Sequence, residues 1–307
     1  MQARSRTASG STPDVAIVFA MPGNEGLADE LAALTASGTG TIECRRFPDG
    51  ESYVRVRGEV RNENVLLVCT LARPDEKFLS LAFAARALRS AGAASIILVA
   101  PYLAYLRQDR RFNAGEAVSS LIFADLIGRE VDRLITVDPH LHRYASLREV
   151  YSIPAVAVHA SGLIGTWVRD HVASPVVLGP DEESAQWVEE IAREACCPWA
   201  VFRKERHGDR DVRLTAPALG QYLKRTPVVV DDIVSSGSTM IEAAKMIAAA
   251  GLQPPHCVAV HALFTPETAA ELHGLTESLV TTDSVPNKYG QLKVAPLIAE
   301  RLTTVSA

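Results

Sequence analysis

The segment that most restricts this chain is Val228-Val229-Val230-Asp231-Asp232-Ile233-Val234-Ser235-Ser236-Gly237-Ser238-Thr239, which runs straight into Met240 to Ala250. Three β-branched residues after Pro227 read as a buried, parallel strand, because such side chains pack well on a pleated surface covered on both faces. Two carboxylates follow at its expected end. Small residues from Ser235 to Thr239 then make a turn, and Met240 to Ala250 reads as a helix stopped by Gly251. Strand, small polar loop and helix start form an anion site: the N–H groups converge and the helix dipole favours negative charge there. The loop holds no lysine, so it is not the nucleotide loop G-x-x-x-x-G-K-[ST].

Asp231 and Asp232 would repel a bare phosphate, so they call for hydroxyls or a metal. A sugar phosphate supplies what both parts need. Its phosphate sits in the Ser/Gly/Thr loop, and its vicinal hydroxyls donate to the acids. Taken alone, the segment reads equally as a capping box from Thr239 to Glu242 with two solvated acids beside it.

The rest of the chain gives this unit its setting. At 307 residues there is room for two domains. Strands are expected at 15–20, 42–47, 52–57, 65–71, 96–100 and 134–137, then at 153–158, 175–178, 198–202, 228–230 and 257–263, with helices between most of them. That alternation implies α/β layers around mainly parallel sheets. The expected division leaves residues 1–13 as a disordered leader, 14–158 and 159–292 as two α/β domains, and 293–307 as a tail packed on the first. The leader has no apolar core and is no secretion signal. A net charge of −5 with no dominant basic face argues against nucleic acid, and apolar runs such as 95–106 are too short to span a membrane. The cysteines (Cys44, Cys69, Cys196, Cys197 and Cys257) have neither metal spacing nor a disulfide framework, which suggests a reducing, cytoplasmic setting.

Several loops after expected strands carry dense chemistry. Pro48-Asp49-Gly50-Glu51 joins two strands, and Asp-Gly there is first of all a hairpin signal. Arg107-Gln108-Asp109-Arg110-Arg111-Phe112 follows a buried strand; arginine forks suit polyphosphate oxygens and Phe112 could stack on a base, although internal Arg–Asp pairs would serve as well. In Asp138-Pro139-His140 a histidine follows a strand-ending aspartate, a pattern able to meet a metal or its phosphate but more often structural. Gly179-Pro180-Asp181-Glu182-Glu183 clusters acids at a helix start, and Arg203 to Asp211 is a mixed-charge segment with a glycine hinge.

In order, Phe47-Pro-Asp49-Gly50-Glu51, Pro101-Tyr-x-x-Tyr105-x-Arg107-Gln108-Asp109-Arg110, Val137-Asp138-x-His140, Gly179-Pro180-Asp181, Lys204-x-Arg206 and Val230-Asp231-Asp232 to Thr239 resemble the ribose-phosphate diphosphokinase family across roughly residues 14–300. The resemblance implies two tandem type I phosphoribosyltransferase-like domains. It also implies transfer of the diphosphoryl group of ATP to ribose 5-phosphate, with Mg2+ as cofactor and a dimer or larger homo-oligomer. Phe47, Asp49, Gly50 and Glu51 would reach the adenine of ATP bound mainly by a neighbouring subunit. Arg107, Gln108, Asp109 and His140 would hold ATP, with His140 and Asp181 on the metal side. Asp231, Asp232, Ser235, Ser236, Gly237, Ser238, Thr239 and Arg206 would bind ribose 5-phosphate, and Lys204 and Arg206 would act in catalysis from a mobile loop.

Three departures stand out. Glu182-Glu183 replaces a glycine pair common in bacterial relatives, Pro139 stands where an aliphatic residue is commoner, and Ser238 replaces a usual Gly or Ala. Two other functions are compatible with part of the pattern. A phosphoribosyltransferase would use Asp231 to Thr239 but not the Arg107 cluster, and a non-catalytic regulatory homologue would suit Glu182-Glu183.

Overall fold

In the computed structural model, residues 15–141, 143–206 and 212–304 are described. The expected leader over residues 1–13 and the hinge of the mixed-charge segment at 207–211 lie outside them.

The first half comprises β1 (Ile17–Ala20), α1 (Glu25–Thr35), β2 (Gly38–Arg46), β3 (Ser52–Arg57), β4 (Asn64–Val68), α2 (Pro74–Ser90), β5 (Ser95–Ala100), α3 (Ser119–Gly128), β6 (Arg133–Val137) and β7 (Ala155–Val158). They form a seven-stranded sheet in the order β3-β2-β1-β4-β5-β6-β7. All pairs are parallel except β2 with β3. Buried runs such as Ile96 to Ala100 explain why these strands lack alternation: helices cover both faces.

The second half comprises α4 (Ser161–His171), β8 (Pro175–Gly179), α5 (Ala185–Glu194), β9 (Trp199–Val201), β10 (Arg203–Arg206), β11 (Val212–Thr215), β12 (Thr226–Val234), α6 (Ser238–Ala249), β13 (His256–Ala262), α7 (Pro266–Leu275), β14 (Ser278–Thr282), β15 (Gly290–Leu292) and α8 (Ala295–Thr304). Its main sheet has six strands in the order β15-β14-β13-β12-β8-β9, and β10 and β11 stand apart as an antiparallel pair. The chain leaves β8 toward β9 on one side and returns to β12 on the other. That reversal makes a crevice at the C-terminal ends of β8 and β12, where open α/β sheets bind ligands.

One apolar cluster joins a face of each sheet through α1, α4, α5 and α8, from Leu66 and Val99 to Val228, Val230 and Ile298. The outer faces have their own clusters, under α2 and α3 and under α6 and α7. The last helix lies against α1, and Lys293 Nζ donates to Glu30 Oε1 at 2.7 Å. No helix among the described residues is long and apolar enough to cross a membrane.

Local signals account for most elements, but the sequence expectation lacks β10, β11, β14 and β15 and starts β2 at residue 42 rather than at Gly38, and two boundaries beside the loop after β12 also differ. The strand expected to stop at Val230 continues to Val234, because Ile233 and Val234 still pair with His261 and Ala262 of β13. The helix expected from Met240 opens at Ser238, so Ser238 and Thr239 are its first residues rather than loop.

Candidate active site

Because β12 runs on, Asp231 and Asp232 are strand residues and point to opposite faces, as the two-residue period of a strand requires. Asp232 shares a face with Val228 and Val230, toward the first sheet. Its Oδ2 accepts from His140 Nδ1 at 2.6 Å, and its Oδ1 accepts from the Ile233 N–H at 2.8 Å. Burial works to raise the Asp232 carboxyl, but the His140 hydrogen bond, the charges of His140 and His261, and Asp231 together hold it below its ordinary range. Asp231 Oδ1 accepts the N–H of Asp232 at 3.0 Å.

After Val234, Ser235 and Ser236 are exposed and Gly237 is buried with φ of 72°. A Cβ at Gly237 would lie 2.5 Å from Thr268 Cγ2 of α7, so both backbone conformation and packing select glycine. Glycine offers α6 no side-chain cap. The helix therefore opens on backbone N–H groups beside Ser236 and Ser238, whose hydroxyls lie 3.0 Å apart, and the first of these groups, on Ser238, donates to Ser236 Oγ at 3.4 Å.

Beside this loop stands the end of β8. Asp181 Oδ1 accepts the Ser184 N–H at 3.1 Å, and Ser184 Oγ donates to the Asp181 carbonyl at 2.6 Å. Glu182 Oε1 lies 3.2 Å from Arg203 Nε, so part of the extra acidity of Glu182-Glu183 is met locally. Arg203 opens β10, and fully buried Phe202 anchors the base of that hairpin. β10 carries the backbone of Lys204 and Arg206; their side chains are outside what is described.

Across the junction are the ends of β5 and β6. Tyr102 is buried, which raises its hydroxyl pKa; the Arg107 charge lowers it and the Asp232 charge raises it, so both charges act on this ring. Arg107 is exposed, while Gln108 Oε1 accepts from Ser119 Oγ at 2.7 Å. Asp109 turns inward. Its side chain is 1% exposed and accepts from Arg143 Nη1 at 2.6 Å, which makes it an anchor of the loop. Glu116 frames the same loop by accepting from the N–H groups of Phe112 at 2.7 Å and Asn113 at 3.0 Å, and Arg110 lies over exposed Phe112.

The structure thus brings together His140, Tyr102, Arg107 and Asp232, with Asp181 and the Ser235–Thr239 loop along the adjoining sheet edge. The Phe47–Glu51 turn is elsewhere. β2 pairs β1 only over Gly38 to Gly40, and residues 41–46 pair only with 52–57. They form an arm of roughly 20 Å at about 3.4 Å per residue. Phe47 N–H donates to the Glu51 carbonyl at 2.8 Å, Gly50 has φ of 94°, and every residue of the turn is exposed.

Three residues that the motifs did not single out also meet at this junction. Arg143 pairs with Asp109, and His261 and Ser284 link β13 and the segment after β14 to the end of β6. For His261 the available signal was one ionisable residue near the end of an apolar strand.

Comparison with known proteins adds two domain matches. Residues 16–129 match the model of the N-terminal domain of ribose phosphate pyrophosphokinase, and residues 146–284 match the phosphoribosyl transferase domain. The chain is 35% identical over 284 residues to ribose-phosphate pyrophosphokinase of Methanopyrus kandleri, covering 91% of this chain and 94% of that one. It is 34% identical over 279 residues to the Methanosarcina mazei protein of the same name, covering 89% and 92%. In fold it is similar to phosphoribosylpyrophosphate synthetase from Mycobacterium smegmatis, with a TM-score of 0.79 at 22% identity over 94% of this chain and 98% of the other.

Proposed function

The chain belongs to the ribose-phosphate pyrophosphokinase family and is a diphosphokinase, and from that premise we propose that it transfers the β,γ-diphosphoryl group of ATP to the anomeric hydroxyl of ribose 5-phosphate. The observation that carries this reading is the junction of His140 with Asp232, which sets a nucleotide-type loop of one sheet against a sugar-phosphate-type loop of the other.

The anomeric oxygen attacks Pβ, the bond from Pβ to the oxygen that bridges it to Pα breaks, AMP leaves with that oxygen, and the hydroxyl proton is released. The protein's part is positioning and charge stabilisation, as in other phosphoryl transfers. The phosphate of ribose 5-phosphate lies in the Ser235–Thr239 loop, on the N–H groups at the start of α6, and the ribose hydroxyls donate to Asp231, with Asp232 held beside them by His140. Arg107 holds the ATP phosphates, Gln108 and Asp109 shape its loop, and Lys204 and Arg206 stabilise charge on the diphosphoryl group as it moves.

The donors suit magnesium, which takes one or two carboxylates and completes its shell with substrate phosphates and water. Asp181 would hold it on the sugar side, and His140 would meet it or its phosphate through Nε2, since Nδ1 is bonded to Asp232. When bound, the ion neutralises phosphate charge.

The same reading divides the chain near residue 159 into an ATP side and a sugar side. It also places the Phe47–Glu51 turn on the adenine of a neighbouring subunit. The exposed turn at the end of the hairpin supports this, as do exposed Leu79, Phe83, Leu121, Ile122 and Leu126 on α2 and α3, an apolar surface suited to self-association. The test is to mix purified protein, magnesium, ATP and ribose 5-phosphate without any base. AMP together with 5-phosphoribosyl 1-diphosphate is expected; a sugar diphosphate consumed only when a base is added would favour a phosphoribosyltransferase.

A further inference from the structure

The junction contains a buried histidine that the chemistry above does not use. His261, near the end of β13, is 1% exposed. Its Nε2 lies 3.1 Å from the Val137 carbonyl oxygen and 3.2 Å from that of Asp138, and its Nδ1 lies 2.9 Å from Ser284 Oγ. Carbonyls only accept, so Nε2 carries a hydrogen, while Ser284 Oγ also lies 3.0 Å from the Val260 carbonyl oxygen and 2.9 Å from Thr282 Oγ1. Burial lowers the His261 pKa against the upward pull of Asp138, Asp232 and the bonded carbonyls. Tyr102 packs on it edge-on at 5.0 Å between ring centres.

Both carbonyls sit at the end of β6, directly before the loop that carries His140. Asp138 has φ of 33°, a backbone region that residues with side chains occupy only when their surroundings fix them there. Its carboxylate accepts from His159 Nδ1 at 2.9 Å and from the Ala160 N–H at 2.8 Å, and its own N–H donates to the Val158 carbonyl at 2.9 Å. Those restraints come from the first sheet. His261 supplies one from the second. Ser284, which orients the ring, is itself tied across the junction: Thr70 Oγ1 donates to its carbonyl at 2.7 Å, and the Thr70 N–H donates to Asn24 Oδ1 at 2.7 Å.

We propose that His261 is a positioning residue for the transfer reaction. By holding the Val137 and Asp138 carbonyls, it sets the loop of the first sheet so that His140 meets Asp232 of the second. This rests on the reading that His140 and Asp232 border the substrate site.

The test uses the full chain labelled with 15N in histidine, comparing wild type with His261→Phe, which keeps a ring but has no donor, and His261→Gln, which keeps an N–H donor. The low-field Nδ1–H signal of His140 bonded to Asp232 is expected in wild type and His261→Gln and absent in His261→Phe. In turnover, His261→Phe should lose roughly ten- to a hundredfold in kcat, the scale of misplaced reacting groups, with KM for ribose 5-phosphate changed by no more than about twofold. Combined with His140→Ala it should cost nothing further, because both changes remove one interaction. An unchanged His140 signal in His261→Phe, or losses that multiply with those of His140→Ala, would overturn the proposal. If His261→Phe does not fold, Ser284→Ala goes through the same measurements with the same expected outcomes. A wild type that shows the signal without turnover would remove the proposed function and leave the contact itself to be judged by the spectra.

Discussion

His140 and Asp232 are 92 residues apart in the chain, yet His140 Nδ1 lies 2.6 Å from Asp232 Oδ2. The pair joins the end of β6 in one sheet to β12 in the other. It also gives Asp232 a carboxyl held below its ordinary value of 3.8. A depressed carboxyl contributes stability that is present above the unfolded-state pKa and lost as pH falls through the folded one. Wild type should therefore exceed Asp232→Asn in thermal stability near neutral pH, and the gap should close as pH drops from about 5 toward 2. Thermal unfolding followed across that range checks it; a gap that is constant or widens in acid is the contrary result.

Lys204 is assigned to charge on the moving diphosphoryl group. Lys204→Ala should lower kcat by at least about a hundredfold, the scale for losing one transition-state donor. Binding of ribose 5-phosphate should change little. Steady-state kinetics with a separate binding titration would separate the two, and near-normal turnover would take the residue out of the mechanism.

The arm ending in Asp49-Gly50-Glu51 is separated from β5 by β1 and β4. If its turn serves a neighbour, inactive Glu51→Ala and Arg107→Ala proteins should regain some activity when their subunits are allowed to exchange. Failure to recover, with exchange demonstrated by mass labelling, would show that the sites are not shared.

Asp231→Asn keeps the side chain's size and weakens a charge-assisted acceptor, a change of about 1.5–3 kcal/mol. It should raise KM for ribose 5-phosphate and relax rejection of 2-deoxyribose 5-phosphate. Unaltered rejection of the deoxy sugar would mean that the carboxylate has another role.

At Gly237 the effect of a side chain is set by α7. Its Cβ would meet Thr268 Cγ2 at 2.5 Å, on a backbone with φ of 72°. Gly237→Ala should therefore destabilise the fold by about 1–2 kcal/mol from the backbone alone, with more from the contact. Adding Thr268→Ser, which removes that methyl group, should return part of the loss in denaturant titrations; no return would place the strain elsewhere.

Much of this was legible in the sequence because it is local. Val228 to Val230, the small residues that follow, and the helical run up to Gly251 carry their own signals, and so does Asp-Gly in the arm. The true end of β12 was not legible, since Ile233 and Val234 stay in the strand only through pairing with His261 and Ala262. Nor could Asp231 and Asp232 be separated. Their divergence to opposite faces follows only from the strand continuing through them, and the contact with His140 depends on how the two sheets pack. Asp109 shows the same limit, because its neighbours in sequence suggest a phosphate loop while its partner Arg143 is 34 residues away.

The central claim is that one displacement moves both terminal phosphoryl groups together. ATP carrying 32P only at the β position, incubated with ribose 5-phosphate and magnesium, tests it directly. The account predicts that the label appears in 5-phosphoribosyl 1-diphosphate while the AMP formed is unlabelled. Label recovered in ADP, with the sugar receiving at most the γ-phosphoryl group, would contradict it.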